Sequence, residues 1–166
     1  GSSQFAQQCL IARRLVEADV PFVKVARAWW DSHGQNFETH LELVTELDNV
    51  MSALLDDLSE RGLLENTLVV VMSEMGRTPG LNPRGGRDHH PNAWTNFLAG
   101  GSIKGGQVIG ATNRRGEVPS ERPLRPGDLH HTIFHVLGID PDVAFLNHAG
   151  RPVPAIDHGE VIRELV

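Results

Sequence analysis

The sequence has 166 residues, enough for one domain with a substantial core and too few for two comfortable ones. Forty per cent of the residues are apolar and 22% are charged, and no apolar run approaches the roughly 18 residues of a membrane span. The formal net charge of −6, with no Lys/Arg block, argues against nucleic acid as a partner.

Helical and strand periodicities alternate along the first half of the chain. Apolar residues recur at helical spacing over residues 4–18, and PFVKVARA at 21–28 predicts a strand. A loop at 29–34 precedes a helix predicted over 37–61, for which Asn36 is the expected N-cap. The only cysteine, in the first helix among apolar neighbours, is expected to be a buried structural thiol.

The second half predicts further strands and one more helix. The continuous β-branched run 67–73 is typical of a central parallel strand that is covered on both faces and ends at Glu74. The other predicted elements are a long functional loop at 76–91, short strands at 95–99 and 107–111, a polar turn-rich segment at 113–127, a helix at 126–137 and an irregular tail from 141 with a last turn at 159–165. This order predicts a single α/β domain over residues 1–166 with a mostly parallel sheet, whose site lies at the carboxyl ends of the strands.

Two short motifs follow the predicted strands. Asp31 and His33, two residues apart in a loop, are able to converge on one metal, although a capping Asp and an exposed His explain the same pattern. Glu74 ends an apolar strand, where a carboxylate can meet a cation. Arg77 then either binds an oxyanion or forms a structural salt bridge with Glu74.

The densest reactive cluster is Gly-Gly-Arg-Asp-His-His-Pro at 85–91. Consecutive residues rarely face one metal together, so we favour His89 as the ligand and interpret Asp88 as a ligand or as a residue that orients one. His90 is expected to be structural or to face a substrate, and Arg87 to bind an anion.

The remaining histidine clusters predict structural roles. His131 and His135 lie one helical turn apart, but no Glu follows the first His as in the zincin motif. The Asp157-His158 pair lies in the tail with no strand before it. We therefore expect the metal ligands elsewhere, in the two loops described above.

Several blocks together resemble a known family. They are WWDSHGQNFETH, TLVVVMSEMGRTP, GGRDHHP, LAGGSIKGGQVIGATN, RPLRPGDLHHTIFHVLGID and GRPVPAIDHGEVIREL. In this order they resemble the uncharacterised sulfatase-like family called domain of unknown function 1501, which looks like a branch of the alkaline phosphatase superfamily. The resemblance implies a three-layer α/β/α sandwich, a metal-dependent hydrolase of phosphate or sulfate esters, and an exported or periplasmic protein.

The resemblance also implies roles for individual residues. Asp31 and His33 resemble the superfamily's first ligand pair, Glu74 stands at the Asp of the second pair, and His89 resembles a His that returns to the first metal. Met75 replaces the expected second His, a loss for which Asp88 would compensate. The implied cofactors are one or two divalent ions (Zn, Mn or Ca), and the implied anionic ester would be bound by Arg77, Arg87 and His90.

The superfamily's nucleophile lies in a segment without a counterpart before Asp31. By resemblance, this chain is therefore expected to be the C-terminal portion of a longer protein, to have the missing N-terminal segment as its partner, and to be inactive alone. Two alternatives stay open: a non-catalytic binding or scaffold module of the same fold, and a metalloenzyme similar to phosphoglycerate mutase.

Overall fold

The computed structural model describes residues 3–166, which fall into two compact units. Unit 1 combines the chain up to Thr67 with Ser73–Thr95, and unit 2 combines Leu68–Met72 with Asn96–Val166. The helices are α1 (Gln4–Glu17), α2 (Asn36–Glu60) and α3 (Pro126–Val136), with a 3-10 turn at Leu64–Asn66. The strands are β1 (Leu68–Val71), β2 (Gly76–Arg77), β3 (His89–His90), β4 (Phe97–Gly100), β5 (Ala111–Thr112), β6 (Pro119–Glu121), β7 (Ala144–Leu146) and β8 (Pro152–Pro154).

The prediction of a three-layer sandwich with a mostly parallel sheet is wrong. Every ladder within residues 3–166 joins two strands and is antiparallel, in the pairs β1–β4, β2–β3, β5–β6 and β7–β8. The apolar run in β1 misled the interpretation, because such a run indicates burial but does not say whether the partner strand is parallel or antiparallel. All four residues of β1 are half-buried rather than covered on both faces.

The predicted strand at 21–28 is also wrong, because this segment joins no ladder in the described part of the chain. Its burial still alternates: Val23, Val25 and Arg27 are half-buried between exposed neighbours. Arg27 is held by Glu46 of α2, with Nε 2.6 Å from Oε2. Period-two alternation is a local property, whereas a ladder requires a partner strand in register.

The helices of unit 1 were predicted to within one residue at each end. Ser3 caps α1 by accepting the Ala6 amide at 3.2 Å. Cys9 is 5% exposed, which confirms the buried thiol, and burial raises its pKa. The N-cap of α2 is Gln35, in a left-handed conformation, rather than the predicted Asn36.

A charged cluster joins the two helices of unit 1. Arg13 of α1 is only 7% exposed, and its guanidinium binds Asp57 of α2 at 2.7 Å and Glu17 at 2.5 Å. Arg61 binds the same two carboxylates at 2.7 and 3.1 Å. The buried arginine is thus paired with two carboxylates, as a charge in such a position requires.

No helix in the described residues has both the length and the apolar character of a membrane-spanning segment.

The core of unit 2 forms between α3 and the C-terminal segment. Leu129, Ile162 and Leu165 are buried, and Thr132 is fully buried beside them. The Thr132 hydroxyl donates to Asp128 O at 2.7 Å and accepts the Ile162 amide at 2.9 Å. The predicted helix at 126–137 matches α3. Of the strand predicted at 107–111, only Ala111 lies in a ladder. The tail that was predicted to be irregular contains the β7–β8 hairpin.

Candidate metal centre

Three of the predicted ligands, Asp31, His33 and His89, converge in unit 1. Asp31 Oδ1 lies 2.9 Å from His89 Nε2 and 3.2 Å from His33 Nδ1, and the two imidazole centroids are 4.9 Å apart. Among residues 3–166 they form the one group of three or more such side chains whose ligand atoms all lie within 4.8 Å of one another. Their side chains are 63%, 36% and 50% exposed, so the group is open to solvent.

The loop that carries Asp31 and His33 is held by the residue between them. Ser32 is 4% exposed, and its hydroxyl donates to Asn36 Oδ1 at 3.0 Å. Its carbonyl accepts the Arg87 amide at 2.9 Å. Because Ser32 points into the protein, its two neighbours project toward solvent, where a metal can reach them.

Asn82 organises the second loop, and the sequence reasoning missed it. Its Oδ1 accepts the Arg84 amide at 2.9 Å and the Gly86 amide at 3.0 Å. Its Nδ2 donates to His33 O at 3.2 Å and to Asp88 Oδ1 at 2.9 Å. The available signal was the Asn-Pro pair before two glycines, a pattern typical of a turn in which Asn binds its own following backbone.

The two loops approach each other backbone to backbone at Gly86. A Cβ at this position would lie 2.1 Å from the carbonyl carbon of His33 and 2.3 Å from the amide nitrogen of Gly34. Gly34 and Gly85 form a β-bridge at the same place, and the Asn36 amide donates to Gly85 O at 3.1 Å. Glycine is therefore required at 86 for steric reasons, and the glycine pair of the sequence serves loop packing.

Arg77 completes the surroundings of Asp31. It lies opposite His89 in the β2–β3 ladder, its Nη2 binds Asp31 Oδ1, and its Nη1 donates to Arg87 O at 3.2 Å. The Arg77 guanidinium, followed by the His89 ring, lowers the pKa of Asp31 to about 2. The ion pair of Arg77 is thus with Asp31, and not with Glu74 as the structural alternative had it.

The other predicted site residues lie outside the three-atom group. Glu74 is exposed at a bend two residues before β2, and the carboxylate of Asp88 accepts a hydrogen bond from Asn82. His90 is half-buried in β3 opposite Gly76. Arg87 donates through Nη1 to the carbonyls of Thr78 (2.6 Å) and Pro79, so that nitrogen supports backbone.

The histidine of α3 that is buried, His131, has the structural role predicted for it. Its Nδ1 lies 2.8 Å from Gly127 O, one turn earlier in the helix. The imidazole satisfies this backbone carbonyl through Nδ1, and His131 belongs to no cluster of potential ligands among the described residues.

The donor set of the centre fits a divalent transition metal. Two imidazole nitrogens and one carboxylate oxygen suit Zn²⁺ or Mn²⁺, whereas Ca²⁺ prefers six to eight oxygens. Three protein ligands that face solvent would leave a coordination position open on a tetrahedral ion.

Comparison with known proteins gives one match. The model of the family described as "Protein of unknown function (DUF1501)" matches residues 1–166, while no curated protein and no solved structure matches the chain. The expected placement in the alkaline phosphatase superfamily, as its C-terminal portion, is corrected accordingly, because nothing links the matched family to sulfatases or to that superfamily. The chain belongs to the DUF1501 family, a family of unknown function.

Proposed function

We propose that this chain binds a divalent metal ion through Asp31, His33 and His89, and that the ion serves the hydrolysis of a phosphate or sulfate ester. The observation that carries the proposal is the convergence of one carboxylate oxygen and two imidazole nitrogens within 4.8 Å of one another. Both loops that present these side chains are held by backbone contacts, so the ligands are positioned before the metal arrives.

The proposed ion is a single Zn²⁺ or Mn²⁺. The two nitrogen donors favour these ions over Ca²⁺. A second ion would need Glu74 and Asp88 near the centre, but Asp88 is engaged by Asn82 at 2.9 Å and Glu74 lies outside the three-atom group. Occupancy near one ion per chain is therefore the expected stoichiometry.

The surroundings favour an anionic substrate. When bound, the ion would supply Lewis-acid polarisation of the ester oxyanion. Arg77, beside Asp31, carries a permanent positive charge and a planar fork of donors that matches phosphate and sulfate oxygens. His33 and His89 would orient the ion, and the exposed side of the centre would admit the ester.

A second candidate function is a non-catalytic, metal-binding module. It is favoured by the state of Ser32, the hydroxyl residue inside the ligand loop. Ser32 is 4% exposed and donates to Asn36, so it is not presented to a substrate as a nucleophile. Metal retention without ester turnover would identify this function.

Elemental analysis after dialysis tests the metal site. We expect about one Zn²⁺ or Mn²⁺ per chain in the protein as it stands and none in His33→Ala/His89→Ala. The matched control is His135→Ala/His148→Ala, which removes two exposed imidazoles outside the centre and should retain the metal. Equal metal content in all three proteins would contradict the assignment of the metal site to His33 and His89.

Turnover then separates the two functions. The metal-loaded protein is assayed with 4-nitrophenyl phosphate, bis(4-nitrophenyl) phosphate and 4-nitrophenyl sulfate. Hydrolysis that disappears in His33→Ala/His89→Ala and persists in the control supports the hydrolase. One ion per chain with no hydrolysis of any of the three esters would assign the non-catalytic function to this chain, in agreement with its expected inactivity alone.

A further inference from the structure

Three side-chain nitrogens meet at Asp31 Oδ1. Arg77 Nη2 binds it directly, His89 Nε2 lies at 2.9 Å and His33 Nδ1 at 3.2 Å. A carboxylate oxygen has two lone pairs, so three nitrogen neighbours are more than this atom can bind well. Asp31, His33 and His89 are also the three side chains whose potential ligand atoms lie within 4.8 Å of one another. Arg77 therefore occupies the position of a cation at this centre.

The position of Arg77 is defined by its strand. The ladder of β2 and β3 places it opposite His89, and its Nη1 donates to Arg87 O at 3.2 Å. Its side chain is 21% exposed, so one part of the guanidinium still faces solvent. Arginine does not lose its proton in proteins, so the positive charge stays beside the centre whatever the centre binds.

A divalent ion bound by Asp31 Oδ1 would compete with the Arg77 guanidinium for that oxygen. An ion bound by Asp31 Oδ1, His33 and His89 would repel the charge of Arg77 at short range, in a site open enough for the side chain to move. Released from Asp31, the guanidinium would need a new anionic partner. An oxyanion at the exposed side of the centre would supply that partner, because a guanidinium binds phosphate and sulfate oxygens well.

We propose that Arg77 is a substitute cation: it neutralises Asp31 in the metal-free protein and turns to an oxyanion ligand when the metal binds. Metal and oxyanion then bind cooperatively, and the ligand is a phosphate or sulfate group rather than a neutral molecule. This inference rests on the proposed metal function, and it assigns Arg77 opposite effects on the two ligands: it weakens binding of the metal alone and strengthens binding of the metal with an anion.

The test is a titration with Co²⁺, followed by visible absorption, with and without sodium sulfate at constant ionic strength. In the unchanged protein, sulfate should tighten Co²⁺ binding about fivefold or more, the range of ordinary coupling between two ligands. In Arg77→Ala, Co²⁺ alone should bind more tightly than in the unchanged protein, and sulfate should have no effect. Arg84→Ala, which removes an equal charge from an exposed position in the neighbouring loop, should behave like the unchanged protein.

The outcomes separate the two proposals. No Co²⁺ binding by the unchanged protein overturns the metal function and the role of Arg77 together. Co²⁺ binding that is equal or weaker in Arg77→Ala, or a sulfate effect that persists there, overturns the role of Arg77 alone. Circular dichroism checks folding. If Arg77→Ala does not fold, Arg77→Gln removes the charge while it keeps a donor for Arg87 O, and the same results are expected of it.

Discussion

The loops of the candidate metal centre and the start of α3 use the same residue types in opposite ways. In unit 1, Asp31 and His89 bind each other and leave their outer sides exposed. In unit 2, Asp128 accepts the amides of Arg125 at 2.7 Å and Glu160 at 2.9 Å, and His131 contacts Gly127 O. The side chains of Asp128 and His131 bind backbone groups, whereas those of Asp31 and His89 bind each other.

This difference explains why only one of the two regions is a candidate site. A carboxylate whose two oxygens each hold a backbone amide stabilises the fold, and a ligand would have to compete with those two bonds. Donors that meet only one another and an arginine are arranged around a point that an ion can occupy. A structural cluster therefore differs from a candidate site in the partners that its Asp and His side chains bind, and not in the residue types themselves.

The largest expected effects come from glycines at the backbone contacts of the two regions. A Cβ at Gly86 would lie 2.1 Å from the His33 carbonyl carbon, and a Cβ at Gly127 would lie 1.6 Å from His158 O. We expect each alanine variant to lower the free energy of unfolding by about 3 kcal/mol or more in urea titrations. Only Gly86→Ala should abolish metal binding. Gly80→Ala, with nothing within 4 Å of its Cβ, is the control and should change neither quantity.

Neutralising Asp31 and Asp128 should affect metal binding and stability differently. Asp31→Asn should weaken metal binding about 100-fold or more, since even residues that only support ligands reach that range. Asp128→Asn should leave metal binding unchanged and lower the free energy of unfolding by about 1–3 kcal/mol, because one of the two amides it holds loses its acceptor. Calorimetric Zn²⁺ titration and urea unfolding measure the two effects. A loss of metal affinity in Asp128→Asn would break the comparison.

A smaller effect is expected from the buried hydroxyls. Thr132→Val removes the acceptor of the Ile162 amide and should lower the free energy of unfolding by about 1–3 kcal/mol, with metal affinity unchanged. Ser32→Ala removes the bond to Asn36 and should weaken metal binding a few-fold by loosening the ligand loop. Thr132→Ser, which keeps the hydroxyl, should be less destabilised than the valine variant. Metal affinity unaffected by Ser32→Ala would show that this loop is held by its backbone contacts alone.

The smallest effect is on acid stability. The guanidinium of Arg77 lowers the pKa of Asp31 to about 2, and that of Arg122 lowers the pKa of Glu164 to about 2. Both carboxylates therefore stabilise the metal-free protein at pH values above their ordinary pKa, and this contribution is lost as the pH falls toward 2. Carboxyl NMR titrations should show both midpoints near pH 2. Arg77→Ala should raise only the Asp31 midpoint and Arg122→Ala only that of Glu164, whereas midpoints near pH 4 in the unchanged protein would contradict these ion pairs.

Helices were predicted well from the sequence and strands poorly. The helices rest on a period of about 3.6 residues within one segment, and α2 and α3 begin and end within about one residue of the predicted bounds. The apolar run at 67–73 and the apolar–polar alternation at 21–28 are also local patterns, but neither of them identifies a partner strand. β1 pairs antiparallel with β4, and 21–28 packs by Arg27 on Glu46 without a ladder in the described residues.

The candidate site was predicted in part. Asp31, His33 and His89 were chosen for their residue types in loops after predicted strands, and the structure brings these three together. Glu74 and Asp88 were chosen on the same grounds and lie outside the group. As metal ligands these two stay predictions, and residue type alone does not say where a side chain points.

What the sequence determined by itself was the local part: the helices, the buried cysteine in the first of them, and a set of carboxylates and imidazoles concentrated in two loops. Only the tertiary structure decided which of these donors meet. Asp31 and His89 are 58 residues apart, and their contact depends on Asn82 and Gly86, which bring the two loops backbone to backbone. Periodicity predicts the structure of a single segment, whereas a metal centre requires atoms from distant segments to lie within a few ångströms of one another.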